Sequence, residues 1–417
     1  MQKFIIEGGH ALSGTVEIGG SKNAALPIIG ACLLSAEKSV LTNVPDISDI
    51  YTLLEILQYL NVQSDFTNGT LTLDPSHMEN KAIPHELVSK MRGSIILLAP
   101  ILTRFGEVKL SFPGGCVLGK RPIDSHLHAF ESLGAQTSTE NDEIYIKCAA
   151  LTGTDFTMSE MSVTATENAI MAACLASGTS QINLCAAEPH IQDLCYALNE
   201  AGAKIEGIGT HNLIIKGVHS LRGLRHAITS DYLEIGTYAI AAAVTGGHII
   251  IKNTNKAHLE SFWQKFEEVG IPVEHRENEV EIFPAQSLNA ANIRTAVYPS
   301  FATDLHPQFS VLLTQAEGTS LVFETLFEGK MNYIFELEKM GAKVKLINNH
   351  KAKISGKSQL KGCPVASLDI RAGAAMVLAG LAASGVTEIS NINYIDRGYN
   401  QLVEKLQSLG AHIQRTS

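Results

Sequence analysis

Cys116 stands in a glycine-rich segment, Phe112-Pro113-Gly114-Gly115-Cys116-Val117-Leu118-Gly119-Lys120-Arg121-Pro122-Ile123-Asp124, between a strand-like run at Val108-Lys109-Leu110 and an amphipathic helix reaching Leu133. Such a segment is predicted to be an exposed, mobile loop. Lys120, Arg121 and the start of a following helix, where Pro122 suits the first turn, would all tune the thiol toward its reactive anion. Gly114, Gly119 and Lys120 also match the phosphate loop G-x-x-x-x-G-K, but Arg121 stands where that motif needs a Ser or Thr for magnesium. His126 and His128 flank Leu127 with no acidic or cysteine partner at ligand spacing, and are expected to be solvated or capping residues without metal. Cys32, Cys148, Cys174 and Cys195 read as small buried hydrophobes. Asp304, at the end of Tyr298-Pro299-Ser300-Phe301-Ala302-Thr303-Asp304, is expected at a helix cap, with a catalytic base as the alternative. Arg397, in Asp396-Arg397-Gly398-Tyr399 at the expected start of the last amphipathic helix, has the planar fork that suits a phosphate or carboxylate.

The elements that must position these groups recur. An amphipathic stretch ends in a small-residue step at Leu60-Asn61-Val62, Leu133-Gly134-Ala135, Ala201-Gly202-Ala203, Val269-Gly270-Ile271, Met340-Gly341-Ala342 and Leu409-Gly410-Ala411, with central spacings of 73, 68, 68, 71 and 69 residues. Glycine after a helix supplies the left-handed turn, and the alternation that follows predicts a hairpin, as at Lys204-Ile205-Glu206 and Asn212-Leu213-Ile214-Ile215-Lys216. Each unit also holds a more apolar helix ending at Ala36, Gly106, Gly178, Gly246, Gly318 or Gly385. Six units of roughly helix, strand, helix and hairpin fill the chain. The apolar helices are predicted to begin near Lys22, Arg92, Thr164, Asp231, Asp304 and Arg371, where free backbone N–H groups favour an anion.

Of the 417 residues 45% are hydrophobic and 18% charged, a globular composition of two to four domains rather than a disordered or fibrous one. The net charge of −10, without a Lys/Arg tract, argues against nucleic-acid or anionic-membrane surfaces. The apolar runs Ser94 to Leu102 and Ala374 to Ala383 are too short to span a bilayer and suit buried helices. Seven cysteines without a C-x-x-C pair, and no apolar run of signal length before Glu7-Gly8-Gly9, predict a reduced cytoplasmic protein.

Taken together, Ser21-Lys22-Asn23-Ala24-Ala25, the Gly114 to Pro122 loop, Ser230-Asp231 with Glu234-Ile235-Gly236-Thr237, Thr303-Asp304, Glu324-Thr325-Leu326-Phe327-Glu328, Asp369-Ile370-Arg371-Ala372 and Ile395-Asp396-Arg397-Gly398-Tyr399 resemble the enolpyruvyl transferase family across the whole chain, in its UDP-N-acetylglucosamine branch. The resemblance implies a two-domain inside-out α/β barrel of six repeats, with residues 1–21 and 230–417 forming the domain of Asp304, Arg371 and Arg397, and residues 22–229 the domain of the cysteine loop. It implies transfer of the enolpyruvyl group of phosphoenolpyruvate to the 3-hydroxyl of UDP-N-acetylglucosamine, the first committed step of peptidoglycan synthesis, with no metal or redox cofactor and no membrane insertion. By resemblance Cys116 is the proton donor and Asp304 the base. Lys22, Asn23, Arg121, Lys330, Arg371 and Arg397 then hold phosphoenolpyruvate. Asn23, Arg92, Arg121, Pro122, Ile123, Asp124, Ser125, Ser162, Val163, Asp304 and Leu326 meet the nucleotide sugar.

Four positions depart from the family pattern: Lys330 replaces Arg, Glu160 replaces Lys, Thr164 replaces Gly and Ser125 replaces Leu. Lys330 keeps charge but loses the bidentate fork, and the other three touch the expected uridyl region. The alternatives are a related carboxyvinyltransferase with another nucleotide or sugar acceptor, and a non-catalytic nucleotide-sugar binding protein. The shikimate branch of the fold is disfavoured by the cysteine loop and the Asp396-Arg397-Gly398 ending.

Overall fold

The structure, a computed structural model, describes residues 2–114 and 122–416; Cys116, Lys120 and Arg121 lie outside the described residues. The chain divides into two compact units, one of Met1–Gly19 with Ser230–Ser417 and one of Gly20–Thr229. The first boundary falls before Gly20, so Gly20 and Ser21 belong with the following 208 residues rather than with the N-terminal strands. Each unit has its own hydrophobic core.

Two strand exchanges explain the crossings. Strand Ser13–Glu17 precedes helix Lys22–Ala31 in sequence but pairs in parallel with His248–Lys252 of the first unit. Strand Arg225–Ala227 precedes helix Tyr232–Thr245 but pairs in parallel with Ser39–Thr42 of the second. Among the described residues there are six sheets, three per unit, of which five have four strands and one has three. Five of them contain a parallel edge strand. The chain ends meet in one sheet, where Lys3–Glu7 lies antiparallel between Val386–Ser390 and His412–Thr416.

Local chemistry accounts for the elements. Helices Tyr232–Thr245 and Ile370–Ala382 are apolar all round, which only burial tolerates. Asp231 caps the first through Leu233 N (2.8 Å) and Glu234 N (3.2 Å). Asp369 caps the second through Arg371 N (2.7 Å) and Ala372 N (2.8 Å). With helix His306–Gln315 these two form a mutually packed trio at the centre of their unit. Phe301 packs edge-on to Phe309 at 5.2 Å and lies 6.3 Å from Phe262, which pins the turn leading to Asp304 against that trio. The runs Ser94 to Leu102 and Ala374 to Ala383 are buried as expected, and no described helix is long and apolar enough to cross a membrane. Cys32, Cys148, Cys174 and Cys195 are buried.

All six small-residue steps adopt the left-handed conformation: Asn61 has φ 64°, and Gly134, Gly202, Gly270, Gly341 and Gly410 lie between 91° and 108°. A Cβ on Gly134 would meet no atom within 4 Å. Gly134→Ala is therefore expected to lose about 1 kcal/mol from backbone strain alone, read from the urea midpoint; an unchanged midpoint would show that the turn relaxes out of that conformation.

Candidate active site

In the first unit two of the expected site residues, Lys330 and Arg371, meet the carboxylate of a third, Asp304. Asp304 Oδ1 accepts a hydrogen bond from Lys330 Nζ at 2.6 Å, and Oδ2 accepts one from Arg371 Nε at 3.1 Å. Lys330 and Arg371 are each only 4% exposed, whereas the Asp304 side chain is 32% exposed, so the anion faces outward over two sunken cations. Burial pushes the Asp304 carboxyl up, but the charges and hydrogen bonds of Lys330 and Arg371 outweigh it and hold it well below the usual carboxylate range. Asp304 is not the helix cap that its position suggests. It lies in a turn two residues before helix His306–Gln315, whose first N–H groups are not its partners, because two cations compete more strongly for the charge than a backbone amide.

Helix and loop contacts fix both cations. Lys330 also donates to Thr303 Oγ1 at 3.0 Å and lies 5.0 Å above the Phe327 ring. The Arg371 guanidinium lies 5.3 Å from the Tyr399 ring centre. Tyr399 is held through its hydroxyl by Thr237 Oγ1 (3.1 Å) and Gln308 Nε2 (3.0 Å), so all three central helices contribute to its placement. Arg371 Nη1 is buried with no hydrogen-bond partner among the described residues. A desolvated guanidinium N–H beside an outward-facing carboxylate is what a bound anion would satisfy.

Glu324, which the sequence places in the family-like run Glu324 to Glu328 with no role, ties two loops of the site together. Fully buried, it accepts Thr303 Oγ1 (2.7 Å) and Thr295 Oγ1 (3.0 Å) on one oxygen and the N–H groups of Leu326 (2.7 Å) and Phe327 (3.0 Å) on the other. It ties the Thr303-Asp304 turn to the loop that presents the exposed Leu326 and leads to Lys330. A charged residue closing the apolar strand Gly318–Phe323 was the only sequence signal, since the partners come from residues 295 and 303. Arg397 ends the short helix Ile392–Arg397, rather than opening the last amphipathic helix, which is Leu402–Ser408; it lies two residues before Tyr399.

In the second unit, Lys22 opens helix Lys22–Ala31 and reaches Asp49 Oδ2 at 3.4 Å, with half-buried Asn23 beside it. Arg92 opens the turn Arg92–Leu97 and donates to Pro122 O at 3.4 Å. Pro122 lies two residues before helix Asp124–Ser132 rather than in its first turn; Ile123 is buried, and Asp124 is exposed. Ser162 and Val163 start helix Val163–Cys174. Two of the departures find partners here. Ser125 Oγ meets Ser159 Oγ at 2.6 Å, and Thr164 Oγ1 meets His126 Nε2 at 3.1 Å, while Glu160 is exposed.

His126 corrects an expectation: it is buried, not solvated. Asn168 accepts Ala99 N at 2.9 Å on its Oδ1, so its amide donates to His126 Nδ1 at 3.1 Å and leaves Nε2–H to donate to Thr164. Burial, aided by the charge of Arg92, pushes the imidazole down to about 3. His128 is partly exposed and meets Thr157 O at 3.0 Å.

Glu324→Gln replaces one acceptor oxygen by a donor and strands two N–H or O–H groups; a loss of about 1–3 kcal/mol is expected in urea unfolding, and an unaltered midpoint would remove Glu324 as the tie between the two loops. For His126 the unfolded chain takes a proton near pH 6.5, but the folded one only near 3, so its contribution is intact above 6.5 and falls as pH drops through that window. The wild-type loss between pH 7 and 5, up to about 1.4 kcal/mol per pH unit for one proton, is expected to be shallower in His126→Gln; equal slopes would mean that the imidazole is not held neutral.

The comparisons fit this arrangement. The family described as EPSP synthase (3-phosphoshikimate 1-carboxyvinyltransferase) matches residues 6–406. The UDP-N-acetylglucosamine 1-carboxyvinyltransferase of Desulfosudis oleivorans is 41% identical over 417 residues, covering all of both chains. The UDP-N-acetylglucosamine 1-carboxyvinyltransferase 3 of Caldanaerobacter subterraneus subsp. tengcongensis is 43% identical over 415 residues, covering 100% of this chain and 99% of that one. In fold, the crystal structure of the enolpyruvyl transferase NikO from Streptomyces tendae superposes with a TM-score of 0.90 at 24% identity, over 100% of this chain and 99% of that one. Full-length identity above 40%, with the Asp304, Lys330 and Arg371 cluster formed as described, means that the chain belongs to the EPSP synthase (3-phosphoshikimate 1-carboxyvinyltransferase) family, in the branch of the UDP-N-acetylglucosamine 1-carboxyvinyltransferases.

Proposed function

We propose that this protein transfers the enolpyruvyl group of phosphoenolpyruvate to the 3-hydroxyl of UDP-N-acetylglucosamine and releases phosphate, the committing step toward peptidoglycan, in the cytoplasm. The observation that carries this reading is identity of 41–43% over the full chain to relatives bearing that activity in their names. The reading takes the fold as an inside-out barrel of six repeats, with the N-terminal strands and residues 230–417 as the catalytic domain; the six sheets among the described residues and the six left-handed steps support the repeats.

The chemistry needs an acid, a base and anion clamps. In this reading the Cys116 thiol protonates C3 of phosphoenolpyruvate while the sugar 3-hydroxyl attacks C2 and gives its proton to Asp304. The tetrahedral intermediate then loses phosphate from C2 and a proton from C3, which restores the double bond as an enol ether. Cys116 also serves as the nucleophile for a covalent adduct with phosphoenolpyruvate. Lys22, Arg121 and Arg397 take the phosphate, and Arg371 with Lys330 takes the carboxylate. Asn23, Arg92, Arg121 to Ser125, Ser162, Val163 and Leu326 receive the nucleotide sugar.

The ion pairs of Asp304 suit a base that is quiet until loaded. While Lys330 and Arg371 both hold it, the carboxylate is a poor proton acceptor. An anionic substrate that draws those cations to itself, beginning with the unpartnered Nη1 of Arg371, weakens their hold and raises the basicity of Asp304 when the hydroxyl arrives.

Purified protein mixed with phosphoenolpyruvate and UDP-N-acetylglucosamine is expected to release phosphate stoichiometrically with an enolpyruvyl product of matching mass, and Cys116→Ala to lose turnover while keeping its melting temperature. Phosphate released only with another nucleotide sugar would reassign the acceptor, and none with any acceptor would leave a binding protein.

A further inference from the structure

Glu7, His10 and His412 bring three metal-ligating atoms within 4.8 Å of one another, in the first unit and apart from the cluster around Asp304. Glu7 ends the first strand of the chain, and His412 begins the last; they are directly opposed in the antiparallel register. The chain after Glu7 turns back tightly. Gly8 N donates to Gly385 O at 3.2 Å and Gly9 N to Leu381 O at 3.0 Å, and Gly9 has φ 86°. A Cβ on Gly8 would sit 2.2 Å from Gly380 O, so this turn is clamped against the end of helix Ile370–Ala382. The clamp returns His10 over its own strand, where its ring centre lies 3.8 Å from that of His412 with the planes 31° apart.

The Glu7 carboxylate faces both rings, with Oε1 3.9 Å from His10 Nε2 and Oε2 3.6 Å from His412 Nδ1. Ligands about 2.0–2.2 Å from a tetrahedral zinc lie roughly 3.3–3.6 Å from one another; the two carboxylate-to-ring contacts are already near that spacing, and drawing all three ligand atoms in from within 4.8 Å takes side-chain rotations that these solvent-open groups can make. Two neutral imidazoles and one carboxylate are a borderline donor set, suited to zinc, cobalt, nickel or copper rather than to magnesium or calcium. All three side chains are at least partly open to solvent, leaving a position for water.

We propose that Glu7, His10 and His412 form a binding site for one divalent transition-metal ion of the zinc class, which staples the first strand of the chain to the last. The ion joins residues more than 400 positions apart and has no part in the transfer chemistry. Binding to the folded chain alone raises its stability with the logarithm of metal concentration once that exceeds the dissociation constant.

The test titrates the full-length, chelator-treated protein with cobalt(II), following the visible ligand-field band, and with zinc, following thermal unfolding. One equivalent of cobalt with a nitrogen and oxygen spectrum, and a zinc-dependent rise in melting temperature, are expected. His10→Ala and His412→Ala are each expected to weaken binding at least tenfold and to abolish the rise. Their exposure predicts melting temperatures equal to wild type in chelator, so a folding defect would be visible separately. Equal affinity in the His10→Ala/His412→Ala double variant, an absence of binding, or a thiolate charge-transfer band placing the metal on cysteine would each overturn the proposal.

Discussion

Two cations sunk at the edge of an apolar helix trio must be compensated, and the Asp304 carboxylate does this. Lys330 and Arg371 are almost wholly removed from water, so without an anion at 2.6 and 3.1 Å their desolvation would oppose folding of that region. The neighbouring architecture serves this constraint. Glu324 holds the turn that carries Thr303 and Asp304, Tyr399 supports the flat face of Arg371, and the Phe301, Phe262 and Phe309 cluster sets the height of the turn. Arg371 still has one buried N–H unsatisfied, so the cluster is internally neutralised but not saturated. An arrangement of that kind is stable without a ligand and responsive to an anionic one.

The buried helices explain why functional groups gather where they do. A mostly apolar buried helix offers its charged groups chiefly at its ends, while the few polar side chains within it, such as Thr237, Gln308 and Asn168, are held by hydrogen bonds. Lys22, Ser162 and Val163, Asp231, and Asp369 with Arg371 all occupy such first turns or caps. The same first turns expose unpaired N–H groups, which Asp231 and Asp369 satisfy with their own side chains.

Ser125 and Thr164, two of the three positions in the second unit that the sequence sets apart, are each coupled to a neighbour. Ser125 faces Ser159, and Thr164 faces His126, whose other nitrogen is engaged by Asn168 from the buried helix. A hydroxyl drawn away from the surface needs a partner, and each has one. Lys330 likewise keeps the cation against Asp304 through a single ammonium, adding Thr303 as a second acceptor where a guanidinium would offer a second fork.

Much of this protein is local in origin and was legible from the chain alone. The small-residue steps, the hairpins, the buried apolar helices and the caps at Asp231 and Asp369 follow from periodicity, turn conformation and backbone valence over a few residues. Motif resemblance groups Asp304, Lys330 and Arg371, and the folded chain places the three side chains in contact. Tertiary structure decided what each side chain bonds. Asp304 reads locally as a cap, yet its partners lie 26 and 67 residues away. His126 reads as solvated, yet Asn168 and Thr164 enclose it from another helix. Glu324 and the pairing of Glu7 with His412 depend on strand register and strand exchange, which bring together residues whose spacing in sequence carries no periodic signal. Local sequence specifies backbone shape, but a charge takes its strongest available partner, and only the folded chain sets which partners are within reach.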